Sequence, residues 1–272
     1  MKYAVAIAPG NALPSAFVVF RGFRQNIPLA AELGYKGVEL ALRSAEDIDP
    51  GELDVLLADS GMEVCGISTG QVYAEYGFSL TDTDPVRMEK LIKIFFGLID
   101  LASGYGQKIN LGRVRGNLDE KDREKSWKTF AESIRKVCDY AASKGVDLLL
   151  EPVNRYELNF INNLEDGHKL LESLEISNLW LMADVFHMNI EDASITGELA
   201  KYYEWVKYLH FADSNRLAPG WGHTDFESII SLLQEKKYDG WISFEMLPEP
   251  NPLDAARQAI LFSESITKNI KS

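Results

Sequence analysis

The chain has 272 residues, 46% of them hydrophobic and 25% charged, with 41 acidic against 28 basic residues and a formal net charge of -13. That composition is too apolar for a disordered chain and too polar for a membrane bundle. The acidic field also disfavours nucleic acid, which is gripped through clustered Lys and Arg. No stretch reaches the roughly 18 apolar residues that span a bilayer, and the opening MKYAVAIAPG has too brief an apolar run for a secretory signal. A cytoplasmic location with no membrane partner is therefore expected. Cys65 and Cys138 form no CxxC pair and read as buried, inert thiols.

In chain order, short apolar runs alternate with amphipathic segments, the pattern of repeated βα units around a parallel sheet. Eight strands are predicted: YAVAIA, KGVELAL, MEVCGIS, QKINLG, VDLLLEP, LWLMADV, VKYLHFA and GWISFEM. Helical spacing appears between them, as in Ile92, Phe95, Phe96, Ile99 and in Trp127, Phe130, Ile134, Val137. Gly34, Gly61, Gly145 and Gly240 precede strands two, three, five and eight, where each is expected to take the chain out of a helix at positive φ. Dividing 272 residues by eight strands gives 34, about one βα unit. With no Pro-, Gly- or Ser-rich linker, the expectation is one α/β domain over 1–272, a single (β/α)8 TIM barrel. A doubly wound open sheet fits less well, because APGNALPS after strand one lacks the Gly-rich phosphate fingerprint.

Barrel enzymes build their sites at the C-terminal ends of the strands. There, strands five to eight stop on Glu151, Asp184, His210 and Glu245, separated by 33, 26 and 35 residues, so four neighbouring strands aim one metal-ligand residue each into the same mouth. Three carboxylates and an imidazole favour a hard divalent ion, Mn²⁺, Mg²⁺ or Co²⁺, over a structural zinc. Such an ion suits proton abstraction beside a ketone, with Glu151 and Glu245 as the acid/base pair on opposite faces and Asp184 and His210 as pure ligands. Glu157, His187 and Arg216 lie just past these strand ends and read as substrate contacts, His187 and Arg216 at the ketone oxygen and Glu157 at neighbouring hydroxyls. His223 is expected to shape the seventh loop and His168 to be solvated. For Trp241, core or helix-layer packing is expected, whereas Trp205 and Trp221 fit an interface, a pocket wall or the core.

EPVNRYE, ADVFHMNIE, HFADSNRLAPGWGHTDF and DGWISFE together resemble the D-tagatose 3-epimerase group of xylose isomerase-like TIM barrels. The resemblance implies that Glu151, Asp184, His210 and Glu245 bind one Mn²⁺-type ion, that the two glutamates exchange the C3 proton through a cis-enediolate, and that Glu157, His187 and Arg216 bind substrate. It also implies a homo-oligomer, a dimer or tetramer. In the front half, APGNALPSAFVVFRG, CGISTGQVYAEYGFSLTDTD and GRVRGN look more like the 5-keto-L-gluconate epimerases of inositol breakdown. Arg113 and Arg115 lie just beyond strand four, where an Arg can hold a sugar acid's carboxylate in bidentate fashion. Arg115 and Gln71 therefore join the substrate-binding expectations, with 5-keto-L-gluconate (product D-tagaturonate) favoured over neutral D-tagatose, D-fructose or D-psicose. An aldose-ketose isomerase is the nearest rival. A phosphate-ester substrate would need a cradle for which PGWG is the only candidate, a non-catalytic sugar-binding protein would lack an essential carboxylate, and a trinuclear-zinc DNA-repair endonuclease is disfavoured by four histidines and the acidic charge.

Overall fold

The computed structural model describes residues 1–14 and 16–271, so Ser15 of the turn after strand one lies outside the described residues. Eight parallel strands form a closed ring: β1 Lys2–Ala8, β2 Gly37–Ala41, β3 Glu63–Ser68, β4 Lys108–Leu111, β5 Asp147–Leu150, β6 Leu179–Asp184, β7 Val206–Phe211 and β8 Trp241–Phe244. Each pairs with the next along the chain, and β8 closes on β1 with Lys2 opposite Trp241 and Val5 opposite Phe244. The two-residue strand Phe20–Arg21 adds to Ile7 and Ala8 at the end of β1. This is the expected single (β/α)8 TIM barrel.

The two-residue period of a strand sorts the side chains. On β1, Tyr3, Val5 and Ile7 join the layer shared with the helices, whereas the intervening Ala4, Ala6 and Ala8 face the interior. The same parity puts Leu149 of β5, Met182 of β6 and Tyr208 of β7 inside, where they pack with Ala4, Cys65 and Trp241. Two residues beyond each of these three, and two beyond Ser243 on β8, stand the predicted ligands.

The outer helices start where the sequence offers acceptors. Asp49, Asp84, Asp122, Asn163, Ser194 and Asp225 each take a first-turn amide hydrogen with their side chain. Ile92, Phe95, Ile99, Phe130, Ile134 and Val137 are buried as predicted, whereas Phe96 is half-buried and Trp127 exposed. Gly34, Gly61 and Gly145 take the expected positive φ of 104, 65 and 69°. Gly240 does not: after helix Phe226–Glu235 it is Lys237 that turns at φ 56°. Gly240 is instead a close approach, since a Cβ there would lie 2.5 Å from the Tyr238 hydroxyl.

His168 is another correction. It is half-buried against the rings of Tyr202 and Trp205 at 5.1 and 5.0 Å, because its helix packs that face on the segment before β7. Trp241 is buried in the barrel interior, Trp221 packs partly buried against the main core, and Trp205 is exposed. Cys65 and Cys138 are free and buried, and burial pushes both thiols up, Cys138 to about 12. Among the described residues no helix is long and apolar enough to cross a membrane.

Candidate active site and metal centre

The four strand-end residues meet. Glu151, Asp184, His210 and Glu245 each offer one ligand atom, and these atoms all lie within 4.8 Å of one another. Nδ1 of His210 sits 3.5 Å from Glu151 Oε1, 3.9 Å from Asp184 Oδ2 and 3.6 Å from Glu245 Oε2. On its other side, His210 Nε2 is 2.8 Å from Glu39 Oε2. An ionised carboxylate only accepts, so the Nε2 proton points at Glu39 and the lone pair of a neutral ring at Nδ1 points into the cluster.

The arrangement calls for positive charge. Three buried carboxylates, Glu39, Glu151 and Asp184, and the partly buried Glu245 gather around His210 with one guanidinium, Arg216, a formal excess of three negative charges. Nδ1 of His210 and Oε1 of Glu151 are buried without a hydrogen-bond partner. A divalent ion fits that donor set; without one a proton takes its place. Burial opposes charge on His210, but Glu39 and Glu245 outweigh it and hold its pKa well above 6.5.

The surroundings shift the two glutamates in opposite directions. Burial alone would raise both, yet His210 and Asn110 pull Glu151 below the usual carboxylate range. For Glu245, burial and the charges of Glu151 and Asp184 prevail over His210 and Arg216 and push it up.

Around them the structure assembles most of the expected substrate contacts. The cavity is lined by Gln71, Glu157, His187, Arg216, Glu151 and Glu245, and also by Arg113 and Phe17. Arg216 donates to Asp184 Oδ2 at 2.7 Å and to Glu245, and its guanidinium lies 5.1 and 4.7 Å from the ring centroids of Phe17 and Phe186. His187 Nδ1 accepts from Asn154 Nδ2 at 2.8 Å, which leaves the ring hydrogen on Nε2, on the side of Asp184 Oδ2 3.7 Å away. Burial lowers the His187 pKa, keeping the ring neutral. Asn154 also donates to Glu157 Oε1 at 3.1 Å. Gln71 is buried with Oε1 unpartnered.

Arg115 is the exception. It is fully buried, and its guanidinium donates to the backbone carbonyls of Phe160, Glu151 and Ile161 at 2.9, 3.0 and 3.2 Å. Arg113 and Arg115 bracket a one-turn 3-10 helix, which at three residues per turn sends side chains two positions apart to different sides. Arg113 therefore faces the cavity and Arg115 braces the wall behind Glu151.

The PGWG turn makes no cradle for an outside phosphate. The Gly220 amide of that turn instead donates to the Asp213 carboxylate at 2.8 Å, which also accepts from Ser214 N and Thr224 N at 2.7 and 3.0 Å. This internal anion organises the loop after β7, where His223 adds a 2.9 Å contact with Ser214 Oγ. Arg216 sits in that loop at φ 64°, a left-handed conformation costly for a residue with a Cβ. Its backbone is pinned by bonds to Asp213 O and from Leu247 N, both 2.8 Å.

Sequence reasoning overlooked Glu39, Asn110, Asn154, Asp213 and Gly112. Asn110 donates to Glu151 Oε2 at 3.0 Å, and a Cβ on Gly112 would lie 2.3 Å from that same oxygen, so only glycine lets Glu151 reach inward. A polar side chain at an inward position of an apolar run is the signal that would have found Glu39 and Asn110.

A closed parallel barrel with a four-residue cluster that could hold a metal ion at its C-terminal mouth has the arrangement of a sugar-isomerising enzyme site. The chain belongs to the xylose isomerase-like TIM barrel family, whose sequence profile matches residues 27–266. It is 30% identical over 235 residues to an L-ribulose 3-epimerase of Methylomonas sp. (strain DH-1), covering 82% of this chain and 78% of that protein. Identity is 27% over 231 residues to a ketose 3-epimerase of Arthrobacter globiformis, covering 82% and 77%. The crystal structure of a D-allulose 3-epimerase from Methylomonas sp. in complex with D-allulose superposes with a TM-score of 0.80 at 25% identity, covering 97% of this chain and 96% of that one. The protein is thus an isomerase-class enzyme, a sugar epimerase or isomerase of this superfamily.

Proposed function

We propose that the chain is a single-domain, divalent-metal-dependent epimerase that inverts the carbon next to a ketone, working in the cytoplasm as a dimer or tetramer. The favoured ion is Mn²⁺, with Co²⁺ and Mg²⁺ as alternatives, and the favoured substrate is a keto-uronate, 5-keto-L-gluconate interconverting with D-tagaturonate in inositol breakdown. The observation that carries the reading is the pair of glutamates in the wall of one cavity, Glu151, buried after β5, and Glu245, partly buried after β8.

Glu151, Asp184, His210 and Glu245 would hold the ion. When bound, it supplies stabilisation of the negative charge that forms on the ketone oxygen as the neighbouring proton leaves. Glu151 takes that proton on one face and Glu245 returns one on the other, the roles exchanging with the direction of reaction. His187 Nε2–H and Arg216 donate toward the oxygen, while Glu157 and Gln71 bind hydroxyls. Two facing carboxylates favour epimerisation over a 1,2 shift, which needs a single base.

The acid substrate is supported by Arg113. Its guanidinium is in the cavity wall near Phe17, and Nε lies 3.7 Å from Glu157 Oε2, beyond hydrogen-bond distance. The neutral ketoses are the second reading, supported by the names of the relatives.

The test is a substrate panel with and without Mn²⁺, together with hydrogen exchange in deuterated water. Keto-uronate turnover should exceed that of D-tagatose, D-psicose and D-fructose, and equal or better turnover of the neutral sugars would sink the acid-substrate version. Exchange should occur at the epimerised carbon and vanish in Glu245→Gln. Full exchange in that variant would overturn the role given to Glu245, and exchange at C1 would point to an aldose-ketose isomerase.

A further inference from the structure

Deep in the barrel, a chain of side chains leads away from the metal cluster. Glu39, inward-facing on β2, is 2% exposed in the middle of the apolar run GVELA. Its Oε2 lies 2.8 Å from His210 Nε2 and accepts a second bond from the Tyr208 hydroxyl at 2.6 Å. Tyr208 OH is in turn 2.9 Å from Cys65 Sγ. Three strands, β2, β3 and β7, meet here, and a carboxylate in such a place is expensive unless it is paired. Tyr208 and His210 are two residues apart on β7, so one strand presents both groups to the same oxygen.

From this geometry we propose that Glu39, steadied by Tyr208, is a positioning residue that fixes the ring of His210 and keeps its proton on Nε2, so that Nδ1 is presented to the metal ion. The inference rests on the metal-centre reading above and extends it beyond the four ligands. Glu39 does not line the cavity. Its action on the reaction therefore runs through His210. The hydroxyl of Tyr208 restricts where the Glu39 carboxylate can sit, and Cys65 restricts the hydroxyl. A carboxylate hydrogen-bonded to the far nitrogen of a ligating imidazole orients the ring and raises its donor strength, and losing one commonly weakens metal binding by about 10- to 100-fold.

The experiment is Mn²⁺ binding to the full chain by equilibrium dialysis, with thermal unfolding of the metal-free protein measured alongside. Glu39→Gln keeps the size and an acceptor but removes the charge; its Mn²⁺ dissociation constant should rise about tenfold or more, and Tyr208→Phe should raise it by a smaller factor. A folded Glu39→Gln protein that binds Mn²⁺ within about twofold of the parent would overturn the proposal. If Glu39→Gln does not fold, nitrogen-15 NMR of the four histidines in the Zn²⁺-loaded parent decides. A ligated His210 with its proton on Nε2 supports the assignment, and a proton on Nδ1 with ligation through Nε2 overturns it. If the parent binds no Mn²⁺, or His210→Ala binds it as tightly as the parent, the metal-centre reading itself fails, an outcome distinct from a silent Glu39→Gln.

Discussion

Arg113 and Arg115 stand two residues apart and should fail in opposite ways when truncated. In Arg115→Ala, the carbonyls of Glu151, Phe160 and Ile161 lose their donors inside a fully buried wall. Burial already weighs on this guanidinium, lowering its pKa to about 9 even with Glu151 nearby to favour the charge. At about 1 kcal/mol or more for each carbonyl left unpaired, the loss is at least about 3 kcal/mol before counting the stem and the stacking on Phe160. For a chain of this size, roughly 2 °C per kcal/mol puts the fall in Tm at roughly 6 °C or more. Arg113→Ala removes a cavity-wall side chain paired only at 3.7 Å and should leave Tm within roughly 1 °C. Because a hydrogen bond to a charged group contributes about 1.5–3 kcal/mol, it should raise the keto-uronate KM about tenfold or more while the KM of neutral ketoses stays put. Thermal unfolding by circular dichroism and steady-state kinetics on both substrates read the two effects separately. An Arg115→Ala protein with parental Tm and a raised uronate KM would refute the reasoning, since it would put the guanidinium on the substrate.

Asp213→Ala should free the loop carrying Arg216: three backbone amides lose their acceptor, at about 1 kcal/mol each, and amide exchange over 214–224 should accelerate while the barrel strands stay protected. Although burial opposes it, the surrounding amides hold the Asp213 carboxyl below its ordinary range, so its stabilisation is present above pH 4 or so and fades as pH falls through the folded value; a loop whose exchange is unchanged by the substitution would contradict this. Asp192 has the reverse sign: burial first, then Glu198, Glu191 and Asp166, push it from 3.8 up to about 7, so the folded state keeps a proton that the unfolded chain releases and stability drops as pH rises across that window. Asp192→Asn should raise Tm at pH 8 and leave it nearly unchanged at pH 4, and an equal shift at both would show that its charge is not the cause.

The barrel and the meeting of Glu151, Asp184, His210 and Glu245 at its mouth were legible because both follow from periodicities written locally in the chain. An apolar run that stops on Glu, Asp or His at a two-residue step from Leu149, Met182, Tyr208 or Ser243 has only one direction to point once the ring closes. Glu39 obeys the same parity, yet it interrupts a strand instead of ending one, and the residues that give it meaning, His210 and Tyr208, lie about 170 positions away. Arg115 was misjudged for the complementary reason. Sequence distance put it near the mouth, but the one-turn helix from Arg113 to Arg115 decides which side of the wall each arginine faces, and that depends on where the carbonyls of residues 151, 160 and 161 are. PGWG illustrates the same limit in a loop, since glycine amides able to hold an anion do not say whether the anion is a ligand or, as here, Asp213 of the same chain. Strand ends can therefore be read one unit at a time, whereas loops and inward charges take their meaning from partners on other strands. The groups hardest to foresee, Glu39, Asn110 and Asp213, accordingly take their meaning from His210, Glu151 and the Arg216 loop, which they contact from other strands or from within the loop.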